Sequence, residues 1–284
     1  MRINNNIQAL NAYNNLSKNQ FKSSKNLERL SSGLRINRAS DDAAGLAISE
    51  KMRGQIRGLS MAERNTMDGI SLLQTAEGAL ASVQEMLQRI RELAIQAAND
   101  TYTTADRSEI QEEINHLLSA INDVADNSEF NTKKLLNGNF EISGVFLQIG
   151  ANTGQSVEMI LNRMHTSEVG ILYNASGVQF VSLEDTNVTT RAGANLAIEI
   201  LSQAVTEVSS FRSKLGAMQN RLEYTMNNLA TARENLTAAE SRIRDADMAL
   251  EMTEFTRNNI INQAATAMLA QANQLPQGVL QLLQ

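Results

Sequence analysis

The chain contains no cysteine, no tryptophan and a single proline, Pro276, in 284 residues. Without cysteine, neither a disulfide framework nor a thiolate metal site is available. Aromatic residues make up only 4% of the chain and proline scarcely interrupts it, a usage that suits long helices. Nowhere do about 18 apolar residues run together, so no membrane-spanning helix is expected. The segment Met1-Arg2-Ile3-Asn4-Asn5-Asn6 lacks the apolar stretch of a cleaved secretory signal, so export, if it occurs, is expected by a route that does not use one. Gly54 and Gly58 have the GxxxG spacing of membrane helix dimers, but Arg53 and Arg57 flank them, and the pair reads as a packing notch in a soluble protein.

Catalytic and metal-binding motifs are equally scarce. The two histidines, His116 and His165, both fall outside the His-Glu-x-x-His pattern that places two imidazoles and a base on one helix face. Glu113-x-x-His116 is half of a di-iron carboxylate site whose second Glu-x-x-His is missing, so His116 is expected on a polar helix face. No Walker loop, GxSxG elbow or dinucleotide fingerprint occurs. The expectation is a chain that is not an enzyme and carries no cofactor or metal. Asn174-Ala175-Ser176 and Asn187-Val188-Thr189 fit the N-glycosylation acceptor pattern, which by itself is weak.

Net charge is −6, unevenly spread: residues 1–60 hold ten Lys or Arg against four Asp or Glu. A basic arm suggests nucleic acid, but Lys18, Lys22, Lys25, Arg29 and Arg35 are interleaved with an apolar helical pattern and no aromatic platform accompanies them. Pairing with the acidic remainder of the chain is the expectation, with neither nucleic acid nor membrane as partner.

What is abundant is helical periodicity. Leu201, Val208, Leu215, Leu222, Leu229, Leu236, Ile243 and Leu250 stand at an unbroken spacing of seven, shadowed by Ala204, Phe211, Met218, Thr225, Ala232, Ala239 and Ala246. A straight helix carries such a stripe slowly around its axis, so the repeat favours a left-handed supercoil against a neighbouring helix. At about 1.5 Å per residue the segment makes a rod of roughly 75 Å, which needs packing partners along its length.

The rest of the chain divides by the same reading. Ile3, Ile7, Leu10 and Tyr13 open a stripe that Leu27 and Leu30 close before Ser31-Ser32-Gly33, giving helix over 3–32. Ser40, followed by Asp41 and Asp42, reads as the cap of a second helix over about 42–99, in which Leu73, Leu80, Leu87 and Ala94 repeat by seven beside Ala76, Val83, Ile90 and Ala97. Thr103 and Asp106 have capping-box spacing ahead of a third helix over about 104–127. From 130 to 192 the helical period is lost, and residues 141–150 and 171–183 read as strands or hairpins. A fourth helix over about 193–256 and a last stripe, Ile260, Ile261, Ala264, Met268, Ala272 and Leu275, complete the chain. The fold class expected is mainly α: an elongated antiparallel helical bundle or coiled coil formed by both chain ends, with a small β-hairpin region in the middle.

Several runs resemble those of one family. Ser31-Ser32-Gly33-Leu34-Arg35-Ile36-Asn37, Asp41-Asp42-Ala43-Ala44-Gly45-Leu46-Ala47-Ile48 and Thr75-Ala76-Glu77-Gly78-Ala79-Leu80 are similar to the amino-terminal part of bacterial flagellins. Asn220-Arg221-Leu222-Glu223, Ala239-Glu240-Ser241-Arg242-Ile243-Arg244-Asp245 and Met268-Leu269-Ala270-Gln271-Ala272-Asn273 resemble the family's carboxyl-terminal signature. The likeness covers about 1–155 and 193–284, and residues 156–192 carry no motif of the family.

The resemblance implies a subunit that leaves the cell unprocessed through the flagellar type III apparatus and polymerises into the extracellular filament used for motility. It implies that residues 1–42 and 244–284 pair as helices lining an inner tube, with Ile3, Ile7, Leu10, Ile260, Ala264 and Met268 packing there. Residues 43–243 then form the rod-like layer, its hairpin segment lying at about 130–192. The variable outer domain of many flagellins is here reduced to about 156–192. In flagellins the terminal segments are disordered in the free subunit and fold on assembly, which suits helices unable to bury their stripes alone. The partners implied are further copies of the chain, an export chaperone, the filament cap and the hook–filament junction proteins. Arg89, Leu93 and Glu113 match the surface recognised by the animal toll-like receptor for flagellin. Two alternatives stand beside the filament subunit: a hook–filament junction protein, and a cytosolic coiled-coil scaffold.

Overall fold

The computed structural model describes residues 6–173 and 179–282. Its helices are α1 (Ile7–Ser32), α2 (Ala43–Ala97), α3 (Thr104–Asn127), α4 (Arg191–Arg244) and α5 (Met248–Leu282). Between α3 and α4 lie antiparallel pairs β1 (Glu129–Phe130) with β2 (Lys133–Lys134), β3 (Val145–Gln148) with β4 (Ser156–Met159), and β5 (Leu172–Tyr173) with β6 (Gln179–Val181). The expected class, mainly α with both ends helical and a small β region between, is what the chain adopts. It divides into two compact units: residues 1–56 with 234–284, and residues 57–233.

Local chemistry sets most helix ends. Asn6 caps α1 by accepting the N–H of Ala9, and α1 stops at Gly33, whose φ of 72° is costly for any residue with a Cβ and whose N–H returns to Arg29 O. Asp42, rather than Ser40, starts α2: its carboxylate accepts the N–H of Gly45 at 2.9 Å. Asp41 is engaged elsewhere, 2.7 Å from Lys25 Nζ and accepting the N–H groups of Asn37 and Arg38. The Lys25 ammonium, helped by those backbone donors against partial burial, lowers the Asp41 carboxyl to about 2.

The capping box on α3 forms as its spacing predicts, with Thr103 and Asp106 each bonding the other's backbone N–H. The Thr103 donors hold the Asp106 carboxyl below its ordinary value. Thr103→Ala is expected to cost about 1 kcal/mol, read as earlier exchange of the first-turn amides of α3 in native-state hydrogen exchange.

Residues 57–233 hold the main core. All eight positions of the α2 double heptad are buried: Leu73, Leu80, Leu87, Ala94 and their shadows Ala76, Val83, Ile90 and Ala97. Against them pack Ile110, Ile114 and Ile121 of α3 and Leu201, Val208, Leu215 and Leu222 of α4. Antiparallel pairing of α2 with α4 is fixed by polar contacts that run in opposite directions along the chain. Arg212 Nη1 donates to Gln84 Oε1 at 2.6 Å, Gln219 Nε2 to Glu77 Oε2 at 3.1 Å, and Arg233 Nε lies 3.3 Å from Glu63 Oε2.

The β3–β4 hairpin lies on α2 at two glycines. A Cβ on Gly69 would strike Leu147 Cδ2, and one on Gly58 would come within 2.8 Å of the Ala151 Cβ. The notch read from the GxxxG spacing therefore exists at Gly58, where it receives a loop, while Gly54 has nothing within 4 Å.

The described residues of 156–192, expected as the remnant of a surface domain, contribute to this core. Val157, Met159, Leu161, Met164, Val169, Leu183 and Val188 are buried in it. Side chains of the helices clamp the backbone of this segment. Gln111 donates to Thr186 O and accepts from Val188 N, Asn122 accepts the N–H of Thr166, and Glu207 accepts that of Gly170.

The eight-residue stripe is interrupted. The expected single helix over 193–256 ends at Arg244, and Leu250, its last position, stands 60% exposed on α5. The cause is a backbone pairing across the chain: Arg35 N–H bonds Arg244 O at 2.7 Å and Ala246 N–H bonds Gly33 O at 3.0 Å. That pairing takes the carbonyl and amide groups a continuing helix needs. Asp247 then caps α5 by accepting the N–H groups of Ala249 and Leu250. Leu201, Val208, Leu215 and Leu222 of the stripe are buried, while Leu229, Leu236 and Ile243 are half-buried.

Candidate functional site

In the unit made of residues 1–56 and 234–284, α1 and α5 lie against each other, antiparallel. Asn6 Nδ2 donates to Ala272 O at 2.7 Å, Ser23 Oγ to Asn259 Oδ1 at 3.4 Å, and Arg29 Nη1 to Glu251 Oε1 at 2.9 Å. The inward positions follow heptad spacing: Ala9, Ala12, Leu16, Asn19, Ser23, Asn26 and Leu30 on α1, and Glu251, Phe255, Asn258, Asn262, Ala265, Leu269 and Ala272 on α5. Most are small or polar. Among the described residues of the two helices, the buried ones are Asn26, Glu251 and Asn258.

Apart from Leu16, Leu30, Phe255 and Leu269, most of the large apolar side chains point the other way. Ile7 and Leu10 are each 60% exposed, Ile260 61% and Met268 63%, and Tyr13, Phe21, Leu27 and Met252 are exposed with them. Of the residues expected to pack in a tube, Ile7, Leu10, Ile260, Ala264 and Met268 thus lie on the outer faces of the helix pair, and Ile3 lies outside the described residues. A shallow groove of about 940 Å³, lined by Ala12, Phe21, Lys22, Ile261, Ala264 and Met268, runs along one of these faces. Single exposed apolar residues are ordinary, but a helix pair with polar residues inside and Ile, Leu, Phe and Met outside is a surface for association. These residues lie outside the seam between α1 and α5, which is filled mostly by alanine, serine and asparagine with Leu16, Leu30, Phe255 and Leu269 among them.

The cations of the amino-terminal segment pair within this unit. Arg29 finds Glu251, Lys25 finds Asp41 and Arg38 finds Glu28, while Glu50 of the same segment takes Arg244. The expected exchange with the acidic remainder is therefore met by the Arg29–Glu251 pair, while two of the other cations find carboxylates in their own segment.

On the other unit, Arg89 of α2 bridges to α3. Its Nε and Nη2 donate to Glu113 Oε1 at 3.2 and 3.0 Å, and Nη1 lies 3.4 Å from Glu92 Oε2. The Glu113 carboxylate, with help from Glu92, raises the guanidinium's pKa further. Both side chains are exposed. Leu93 is not: at 2% exposure it belongs to the core beneath them, which corrects its expected place on a contact surface. A period of 3.6 turns position 93 inward with Ile90 and Ala97, a fact its motif match did not convey.

Among the described residues no group of three or more His, Cys, Asp or Glu is placed to hold a metal ion, and no helix is long and apolar enough to cross a membrane. His116 is exposed on α3, and His165 Nε2 lies 3.0 Å from Asp126 Oδ1.

Comparison with known proteins turns on both ends of the chain. The family described as the bacterial flagellin N-terminal helical region matches residues 3–141, and that described as the bacterial flagellin C-terminal helical region matches residues 198–283. The chain belongs to the bacterial flagellin family. Flagellin of Bacillus subtilis (strain 168) is 53% identical, with 100% of both chains covered, and a flagellar filament core protein of Brachyspira hyodysenteriae is 46% identical over 100% of both. This flagellin is a structural subunit of the flagellar filament. At the level of fold alone it is also similar to flagellar hook associated protein-3 of Legionella pneumophila, with TM-score 0.52 and 14% identity over 68% of this chain and 98% of that one. The junction-protein alternative thus has a likeness of backbone, whereas the filament subunit has full-length identity.

Proposed function

We propose that this flagellin polymerises through the outward apolar faces of α1 and α5, which line the inner tube of the filament, with residues 43–243 forming the filament's rod-like layer. The observation that carries the reading is the inverted burial of the helix pair, polar within and apolar without. Removing each large apolar side chain from water contributes about 1.5–3 kcal/mol, a driving force available only when further copies cover the pair. Contacts of this kind between unlike faces of identical subunits do not close on themselves and build a helical fibre. The subunit is exported unprocessed by the flagellar type III apparatus and handed from its export chaperone to the distal end. There it assembles beneath the filament cap, outside the cell, in a filament started on the hook–filament junction proteins.

Electron microscopy of the purified chain added to sheared filament seeds tests this reading. Tubular elongation is expected; parallel two-stranded dimers in place of tubes would favour the scaffold alternative.

A second reading rests on the exposed Arg89–Glu113 bridge: recognition of the monomer by the animal toll-like receptor for flagellin. Arg89 and Glu113 supply the polar contacts, and the buried Leu93 supports the helix face from below. Arg89→Ala is expected to weaken receptor signalling by soluble monomer about tenfold or more, as for an interface hot spot. Unchanged signalling removes this reading without touching the filament.

A further inference from the structure

The buried interior of the α1–α5 pair is polar where a helix pair held by packing alone is apolar. Asn26, Asn258 and Glu251 are 6%, 7% and 7% exposed, and the Glu251 carboxylate meets Arg29 Nη1 at 2.9 Å. Some of these groups are not fully satisfied among the described residues: Asn26 Nδ2, Glu251 Oε2 and Asn262 Oδ1 are buried without a hydrogen-bond partner. Groups of this kind cost stability, and a buried ion pair is often weaker than the hydrophobic residues that replace it. Leu16, Leu30, Phe255 and Leu269 turn to the seam, but Ile7, Leu10, Phe21, Ile260 and Met268, which would hold the pair more tightly, face away from it.

Beside Leu16 and Leu30 of α1 and Phe255 and Leu269 of α5, small residues fill much of the remainder of the seam, with Ala9 and Ala12 on α1 and Ala265 and Ala272 on α5. Alanine against alanine discriminates poorly between one alignment and another shifted by a heptad. A buried charge does discriminate, because any shift leaves Glu251 facing something other than Arg29 and strands a buried carboxylate. A single buried polar position is known to fix register in coiled coils by the same physics.

We propose that Arg29, Glu251, Asn26 and Asn258 are the register-determining residues of the terminal helix pair: they sacrifice stability of the pair to fix one alignment of α1 on α5. That alignment composes the two outward apolar faces into one surface. A slip of one heptad would bring Ile7 and Leu10 opposite a different part of α5 and spoil the surface a neighbouring copy must meet. The inference rests on the assembly role proposed above for the outer faces.

The test uses the full-length chain, elongation on wild-type seeds, and the absence of native cysteine, which lets an engineered disulfide report register directly. Glu251→Arg alone is expected to slow seeded elongation at least about tenfold. Combined with Arg29→Glu, it should recover to within about threefold of wild type. Ser23→Cys with Asn259→Cys is expected to crosslink efficiently in the native seam, since Ser23 Oγ and Asn259 Oδ1 lie 3.4 Å apart. In a background with all four residues replaced (Asn26→Leu/Arg29→Leu/Glu251→Leu/Asn258→Leu), that crosslink should fall and one between Ser23→Cys and Thr266→Cys, a heptad away, should appear. Failure of the charge swap to recover elongation overturns the proposal, as does a leucine-substituted seam that crosslinks only at 23–259 and elongates normally. Wild-type chain that does not elongate on seeds would instead sink the assembly reading itself.

Discussion

A chain lacking residues 1–30 is expected not to polymerise on seeds, yet to remain a soluble monomer with an intact core. The deletion removes α1 up to its last turn, and with it Ile7, Leu10, Tyr13 and Phe21 on the outer face and the partner that α5 packs against. Alone, α5 is left with Glu251 and Asn258 exposed on one side and Ile260 and Met268 on the other, and an isolated helix of that kind is marginal in water. The core of residues 57–233 loses nothing, since α2, α3, α4 and the segment between them supply its buried side chains. Sedimentation and electron microscopy read the first half of the expectation, and thermal unfolding followed by circular dichroism reads the second. Tubes formed by the truncated chain would remove the role given to α1; loss of the core transition would show that residues 57–233 depend on the terminal helices.

The second large effect lies in the core. Leu87 is fully buried on the face of α2 shared with α3 and α4. Leu87→Ala removes three methyl-sized groups from a close-packed interior and leaves a cavity, at a cost of about 2–5 kcal/mol. For a unit of this size that is roughly 5–15 °C in Tm. The neighbouring exposed position provides the control: Gln88→Ala is expected to stay within about 0.5 kcal/mol. Because Arg89 and Glu113 sit on the outer side of the same helices, Leu87→Ala should also loosen the surface around them, visible as faster exchange of the amides flanking Arg89.

Helices whose ends are set by nearby side chains were legible in the sequence almost to the residue. Thr103 and Asp106 form the box their spacing announces, and the α2 heptads are buried at every position. Features set by distant partners were not. The break between α4 and α5 is made by Gly33 and Arg35, more than two hundred residues away in the chain, and no heptad count reveals a backbone pairing of that kind. Strand β4 alternates in burial but is four residues long and is held by its pairing with β3, while the segment that follows it looks like loop because backbone groups at Thr166, Gly170, Thr186 and Val188 are satisfied by Gln111, Asn122 and Glu207 on helices.

The terminal helices show the same division from the other side. Their apolar stripes were found, but a stripe tells only that something covers it, and the ordinary inference assigns that something to the helix next door. Here the neighbouring helix takes the polar and small positions, Asn26, Asn258 and the alanines, and the apolar stripes are left outward. For the candidate receptor surface, resemblance located Arg89 and Glu113 correctly on an exposed face and misplaced Leu93, because a motif match carries positions and not the helical phase that turns each side chain in or out.

A helical reconstruction of the assembled filament measures the central claim most directly. It should find Ile7, Leu10, Ile260 and Met268 buried against neighbouring copies around the filament axis, with Arg29 still paired to Glu251 within each α1–α5 pair. A filament in which those four side chains remain in contact with solvent, or in which residues 57–233 form the innermost layer, would contradict it.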